Sequence, residues 1–288
     1  MKLALGTVQF GLAYGIANET GKVGYSEARD ILREARKAGI DTLDTAIAYG
    51  NSEQVLGEIG VNGWRVVSKL PELPAGCSDV PGWVERQVTE SLQRLGIDRL
   101  HAVLLHRPDQ LLDSRGDALY KALSDLRERG QTGKVGVSVY SPQQLDRLFE
   151  YMHFDLVQAP LSVLDRRIVE SGWSERLRKM KVELHTRSAF LQGLLLMSSS
   201  DRPAKFDRWQ PIWNEWDRWL QTTGLSPLEA CLRYALSADG VDRVVVGVDS
   251  CDQMREILAA ASGRLVDFPD WPASIEPDLI NPSAWNSL

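Results

Sequence analysis

Short apolar runs rich in Val and Leu alternate eight times with stretches of helical period, which leaves few architectures open to this 288-residue chain. The runs predict strands ending near Gly6, Asp44, Lys69, His106, Val139, Gln158, Thr186 and Val246. Between and after them, helices are predicted over Ser26–Lys37, Ser52–Ile59, Gly82–Leu95, Ala118–Arg129, Pro142–Tyr151, Ile168–Met180, Ser226–Ser237 and Cys251–Ala261. Strict alternation of this kind implies βα units and a parallel sheet. Eight strands at a spacing of about thirty residues predict a closed (β/α)8 TIM barrel of the α/β class. An open doubly wound sheet would want a glycine-rich phosphate turn after its first strand, and Gly6-Thr-Val-Gln-Phe-Gly11 does not match G-x-G-x-x-G. No repeat, low-complexity tract or Pro-rich linker interrupts the chain, so residues 1–288 read as one domain.

Local signals support several boundaries. Ser26 is expected to cap its helix, and Ser141-Pro142 and Ser226-Pro227 each place a serine before a proline at the first helical position. Gly39, Gly96 and Gly130 sit just past helix ends, where a left-handed residue suits glycine. One segment breaks the rhythm: an extra helix over about Asp207–Thr222 carries Trp209, Trp213, Trp216 and Trp219 on one face. The expectation is an apolar stripe packed on the barrel; the alternative is that one of these rings lines a substrate site. The tail beyond Ser262, with Trp271 and Trp285 among prolines, is expected to wrap the barrel irregularly.

Four polar residues stand where strands give out. Asp44 ends Asp41-Thr-Leu-Asp44, Tyr49 follows it five residues on, Lys69 ends Arg65-Val-Val-Ser-Lys69, and His106 ends Ala102-Val-Leu-Leu-His106. Neighbouring parallel strands lie about 4.8 Å apart, so their carboxyl ends would bring these side chains to one cleft. Taken singly, each has a structural explanation: a loop cap, a packed phenol, a solvated lysine, a histidine satisfied by backbone. Taken together at the catalytic end of a barrel, they form a set able to hand a phenol proton to a carbonyl oxygen.

Composition narrows the partners. Charged residues make up 25% and the AVILMFWYC set 43%, ordinary for a globular protein with a real core. A formal net charge of -6 gives no reason to expect nucleic acid or an anionic membrane. No apolar run reaches the length of a membrane span, and Lys2-Leu-Ala-Leu-Gly6 opens as a strand without a signal-peptide layout. Cys77, Cys231 and Cys251 form no CxxC and no even framework, so reduced thiols and a cytoplasmic address are expected. The Asn18-Glu-Thr20 triplet is then a chance match to a glycosylation acceptor. No His/Cys cluster suggests a metal, and nothing in the sequence bears on oligomeric state.

The chain resembles the aldo-keto reductase superfamily, bacterial short-loop type. The resemblance rests on Leu5-Gly-Thr-Val-Gln-Phe-Gly11, Asp44-Thr-Ala-Ile-Ala-Tyr49-Gly50, Val67-Ser-Lys69, Leu104-Leu-His106-Arg-Pro-Asp109, Gly133-Lys-Val-Gly-Val-Ser138, Gln192-Gly-Leu-Leu195 and Val244-Val-Val-Gly-Val-Asp-Ser250. It implies a nicotinamide-dependent oxidoreductase that reduces a small carbonyl substrate, with Asp44, Tyr49, Lys69 and His106 as its tetrad. The family hairpin at the barrel bottom and the long carboxy-terminal substrate loop are expected to be missing. By residue type, Tyr49 would protonate the nascent alkoxide, Lys69 would ease release of that proton, Asp44 would hold Lys69 charged, and neutral His106 would steer the carbonyl oxygen.

The resemblance also implies cofactor contacts. Gly6, Thr7 and Asp44 lie at the first two strand ends; of the family's Ser-Asn pair after strand five and Gln after strand six, which hold the carboxamide, Ser138 and Gln158 match, although Val139 stands where Asn is usual. Arg187 replaces an aromatic residue that stacks on the nicotinamide, and a guanidinium can do the same; the alternative is an outward, salt-bridged Arg187. Ser188, Phe190, Gln192 and Gly193 continue that loop. Gly247, Val248, Ser250, Gln253 and Glu256 would hold the adenosine side, with free N–H groups of the last helix seating a phosphate. NADP is the family default, yet Gln253 and Ile257 stand where a basic residue and an Asn are frequent, so NAD is possible. Two other readings remain open on the residues: a non-catalytic, cofactor-sensing regulatory subunit, and an unrelated barrel lyase or isomerase using Lys69 as a Schiff-base amine. The second needs a depressed lysine pKa, which Asp44 opposes.

Overall fold

The computed structural model describes residues 1–263, 267–268 and 275–288. Eight parallel strands close into a barrel in sequence order: β1 (Leu3–Gly6), β2 (Thr42–Asp44), β3 (Arg65–Leu70), β4 (Ala102–Leu105), β5 (Val135–Ser138), β6 (Leu156–Pro160), β7 (Glu183–Arg187) and β8 (Arg243–Gly247). Around it run α1 (Tyr25–Lys37), α2 (Ser52–Ile59), α3 (Val80–Leu95), α4 (Gly116–Glu128), α5 (Pro142–Leu148), α6 (Arg167–Glu170), α7 (Trp173–Lys179), α8 (Gln210–Thr223), α9 (Pro227–Ser237), α10 (Cys251–Ala260) and α11 (Pro277–Ile280).

The period-2 alternation of strand side chains sorts the core into two layers. Val103 and Leu105 of β4, Val157 and Ala159 of β6, and Leu43 of β2 face outward and pack against the helices. Val67, Ala102, Leu104 and Leu156 face inward and fill the lumen. Space there is tight: a Cβ on Gly136 of β5 would fall onto the Leu156 carbonyl oxygen and lie 2.6 Å from Leu104, so only glycine fits. The same alternation sends Asp44, Lys69 and Gln158, each two residues along from an inward position, into the lumen at its upper end.

Several boundaries differ from the sequence expectation. Helix α1 begins at Tyr25 behind Gly24, so Ser26 lies inside the first turn and does not cap it. The single helix expected over Ile168–Met180 is two, because Gly172 takes a left-handed φ of 77° between them. Ser141 and Ser226 do cap their helices, each in a reciprocal capping box with Gln144 and Glu229. Gly39, Gly96 and Gly130 all have positive φ. Trp209 belongs to a 3-10 turn preceding α8 rather than to the helix.

The tryptophans build a second core. Trp209, Trp213 and Trp216 pack with Phe206, Leu194, Leu195, Leu279, Ile280 and Trp285, and Trp219 stacks on Trp216 with centroids 5.6 Å apart. The tail is stapled here, by Trp285 edge-on to Phe206 at 5.0 Å and by Lys205 Nζ donating to the Trp285 carbonyl at 2.8 Å. Trp271 lies outside the described residues. No helix among the described residues is long and apolar enough to cross a membrane.

Candidate active site

The register fixes which side chains meet. Gly6 pairs with Asp44, Asp44 with Val67, and Lys69 with Leu104, the residue two before His106. Lys69 Nζ sits 2.6 Å from Asp44 Oδ1 and donates to the Thr45 carbonyl at 2.9 Å. The other oxygen of Asp44 accepts from Gln158 Nε2 at 2.7 Å, and Gln158 Oε1 accepts from Ser138 Oγ at 3.3 Å. The Lys69 and Asp44 side chains are only 1% and 6% exposed, which makes this a buried ion pair with its remaining hydrogen-bonding capacity largely used. Such a pair is costly to build and costlier to break, and its charge acts through protein rather than water.

Tyr49 is carried by the turn after β2. Its N–H donates to Ala46, its carbonyl accepts from Ser52, and the preceding Ile47 N–H is bonded to the Lys69 carbonyl. The turn is pressed against the β1–α1 loop, where a Cβ on Gly11 would collide with the Tyr49 carbonyl oxygen. Beneath it Ser52 Oγ donates to the Thr7 carbonyl at 2.8 Å, and Thr7 Oγ1 donates to the Asp44 carbonyl at 3.0 Å. The phenol ring lies 5.1 Å from Lys69 Nζ and stands edge-on to His106 at 5.9 Å.

Burial pushes the Tyr49 phenol above its ordinary value, and the Lys69 charge pulls only part of the way back, with Asp44 adding to the rise. This corrects the expectation of a phenol made more acidic overall: Lys69 acts in the expected direction, but burial wins. Burial alone would depress Lys69; Asp44 and Tyr49 outweigh it and hold the ammonium charged. His106 is pushed down to about 4 by burial and by the Lys69 and Arg187 charges, so its imidazole is neutral near pH 7.

These groups open on a cavity of about 350 Å³. Gly6, Thr7, Asp44, Tyr49, His106, Gln158, Arg187, Ser188, Phe190, Gln192, Gly193, Gly247, Gln253 and Glu256 line it, as the sequence suggested. Four expected site residues do not. Lys69 is sealed beneath Tyr49, Ser138 reaches the site only through Gln158, Val248 is buried, and Ser250 uses its hydroxyl to cap α10. Arg187 does not point outward: it donates to the Val139 carbonyl at 3.1 Å and lies 4.5 Å over the Tyr140 ring. Two of the α10 amides expected to be free have partners: Cys251 N–H donates to Glu27 and Gln253 N–H to Ser250. Gln9, Tyr14, Asn18, Tyr140 and Asp249 also line the cavity and were not singled out from the sequence. Tyr140 and Asp249 each sit two residues beyond a strand end, a position that could have flagged them. The long β1–α1 loop carrying Tyr14 and Asn18 offered no such signal.

An eight-stranded closed barrel thus carries a buried Lys–Asp pair, a phenol and a neutral imidazole at its carboxyl end. The Aldo/keto reductase family profile matches residues 2–268; the chain belongs to that family and is a nicotinamide-dependent oxidoreductase. It is 26% identical over 288 residues to an uncharacterized oxidoreductase of Mycobacterium tuberculosis, covering 92% of this chain and 85% of the relative. It is 24% identical to a protein of Escherichia coli named NADH-specific methylglyoxal reductase, covering 83% of each. Among solved structures, a putative aldo-keto reductase from Pseudomonas aeruginosa shares 26% identity at a TM-score of 0.66, over 90% of this chain and 89% of the other. An aldo-keto reductase from Bacillus halodurans shares the fold at a TM-score of 0.71 with 22% identity, over 92% and 88%.

Proposed function

We propose that the chain reduces an aldehyde or ketone to an alcohol, with Tyr49 as the proton donor. The observation that carries this reading is the buried Lys69–Asp44 pair lying directly under a phenol and a neutral imidazole that share one cavity. The cavity residues fit a nicotinamide dinucleotide. Gln9 Oε1 is a buried acceptor with no partner among the described residues, suited to a ribose hydroxyl or carboxamide donor. Gly6 and Gly247 leave the ends of β1 and β8 bare, and a Cβ on Gly247 would close to 2.6 Å from the Gln9 amide. Gln158, Arg187 and Ser188 would hold the nicotinamide end.

When bound, the reduced cofactor supplies the hydride that the carbonyl carbon accepts. The protein supplies everything else. His106, neutral, donates a hydrogen bond to the carbonyl oxygen and orients it toward Tyr49. As negative charge grows on that oxygen, Tyr49 releases its proton to it, and the Lys69 ammonium stabilises the phenolate left behind. Asp44 and the Thr45 carbonyl keep Lys69 charged and in place. The alcohol leaves with both hydrogens accounted for. The naming of one relative makes methylglyoxal, a small dicarbonyl, the first substrate to assay.

Tyr49→Phe tests the assignment. It should lower turnover at least about a thousandfold, while quenching of the protein's nine tryptophans on cofactor addition stays within a factor of about three. A rate within tenfold of the parent removes Tyr49 as the acid.

A further inference from the structure

We infer that the cofactor site is built for a ribose 2′-hydroxyl and against a 2′-phosphate, so that the chain prefers NADH to NADPH; this rests on the reductase reading above. With the reacting ring at Tyr49 and His106, the far half of a dinucleotide must run along the rest of the cavity. That part is walled by Gly247 and Asp249 at the β8–α10 turn, where barrels of this type commonly hold phosphate, and by Gln253 and Glu256 of α10.

The charges there are of the wrong sign for an added phosphate. Asp249 is fixed from across the groove: its Oδ1 accepts from Asn18 Nδ2 at 2.8 Å, and Asn18 is itself clamped by Gly21, whose N–H reaches Asn18 Oδ1 at 2.7 Å. Asp249 Oδ2 has no protein donor among the described residues. Glu256 adds a second carboxylate on the same wall. A third, Glu27 of α1, already accepts from the Cys251 N–H at 2.5 Å, so the helix end that could seat an anion holds one. The neighbouring amides are also engaged, Gln253 N–H with Ser250 Oγ at 3.1 Å and Asp249 N–H with Gln253 Oε1 at 2.8 Å. Gln253 is therefore neutral, with its side-chain oxygen committed to the Asp249 N–H.

Cations do not offset this. Among the described residues lining the cavity, Arg187 alone is basic, and it lies at the Tyr140 end. Arg255, on α10, is paired with Asp252 at 2.6 Å, and Lys22 donates to Asn51 at 3.2 Å. A 2′-phosphate carries about -1.5 to -2 charges near pH 7 and would meet carboxylates without a partner. A 2′-hydroxyl instead donates to a carboxylate, the arrangement by which acidic residues read NAD in other folds.

The test is fluorescence titration of the full chain with NADH and with NADPH at low and high salt. NADH should bind about tenfold tighter or more, and the gap should narrow as salt screens the repulsion. Asp249→Asn and Glu256→Gln, both at partly or fully exposed positions, should each tighten NADPH several-fold while NADH holds or weakens. Tighter NADPH binding by the parent overturns the inference, as does a preference that neither variant nor salt moves. Failure of both nucleotides to bind would instead remove the reductase reading on which the inference stands.

Discussion

At the carboxyl end of the strands, Lys69 and Asp44 meet at 2.6 Å with almost no exposure, under a cavity. At the amino end, Glu183 of β7 meets Lys134 at 2.6 Å, His101 at 3.2 Å and His185 at 3.5 Å, while Asp41 takes Arg243 and Arg65. Residue types and distances are alike. What differs is the surroundings: Glu183 and Lys134 are 25% and 29% exposed, and Asp41 is 44% exposed. Ion pairs touched by water cost little to form and return little, whereas the sealed pair above is expensive and acts on its neighbours at nearly full strength. The lower ring ties strand starts together; the upper pair is aimed at a phenol. Distance alone does not tell the two regions apart; burial beside an open cavity does.

The largest effect expected from breaking this comparison is at Lys69. Lys69→Met should abolish reduction and destabilise the fold by about 3–5 kcal/mol, because Asp44 stays buried with only Gln158 for company. Asp44→Asn should lose less activity, since Thr45 still holds the ammonium. Steady-state rates with thermal melts check both, and a more damaging Asp44→Asn would reverse the roles given to the pair.

Next in size is Arg187→Ala. If the guanidinium serves the nicotinamide end, both NADH and NADPH should bind about five- to thirtyfold more weakly, the value of one desolvated stacking contact. Equal affinities before and after would confine Arg187 to propping Tyr140.

Glu183→Gln probes the lower ring. Turnover should stay within about twofold, and stability should fall by about 1 kcal/mol, discounted for solvent. Burial pushes Glu183 up, but hydrogen bonds from His101, His185 and Lys134 outweigh it and hold the carboxyl well below its ordinary 4.5. Its contribution is therefore present above that ordinary value and fades as pH falls toward the folded one. Melting temperatures of parent and variant should converge in acid; a constant gap contradicts the linkage.

The smallest signal is an absence of slope. With His106 titrating about 4 and the Tyr49 phenol above its ordinary 10.0, kcat/KM for reduction should be flat from about pH 5 to 9. It should fall only as the phenol ionises. An inflection between about 6 and 7 would mean that His106 takes protons in the working site.

Much of the site was legible because it obeys one-dimensional rules. Asp44, Lys69 and His106 end three consecutive apolar runs, and a barrel gathers strand ends on one face, so their convergence needed no coordinates. Gln158 was readable by the same rule. Ser138 was misplaced because a strand-end residue can face the cavity or a neighbour, and here it faces Gln158. The phenol's net shift was misjudged because the charge of Lys69 is visible in sequence while the depth of burial is not. The α10 amides failed for a related reason. Glu27 lies 224 residues from Cys251, and nothing local announces that it caps that helix.

The sequence by itself determined the barrel, through hydrophobic period and strand count, and which four polar groups gather at its carboxyl end, through residue type at strand ends and in the turn after β2. Both depend on near neighbours along the chain. Only the tertiary structure decided that Lys69 is sealed while Tyr49 opens on the cavity, that Arg187 lies on Tyr140, and that Asn18 and Glu27 bring polarity and charge to the β8–α10 turn. Those outcomes depend on what packs across the barrel, where electrostatic strength is set by the solvent that distant segments exclude.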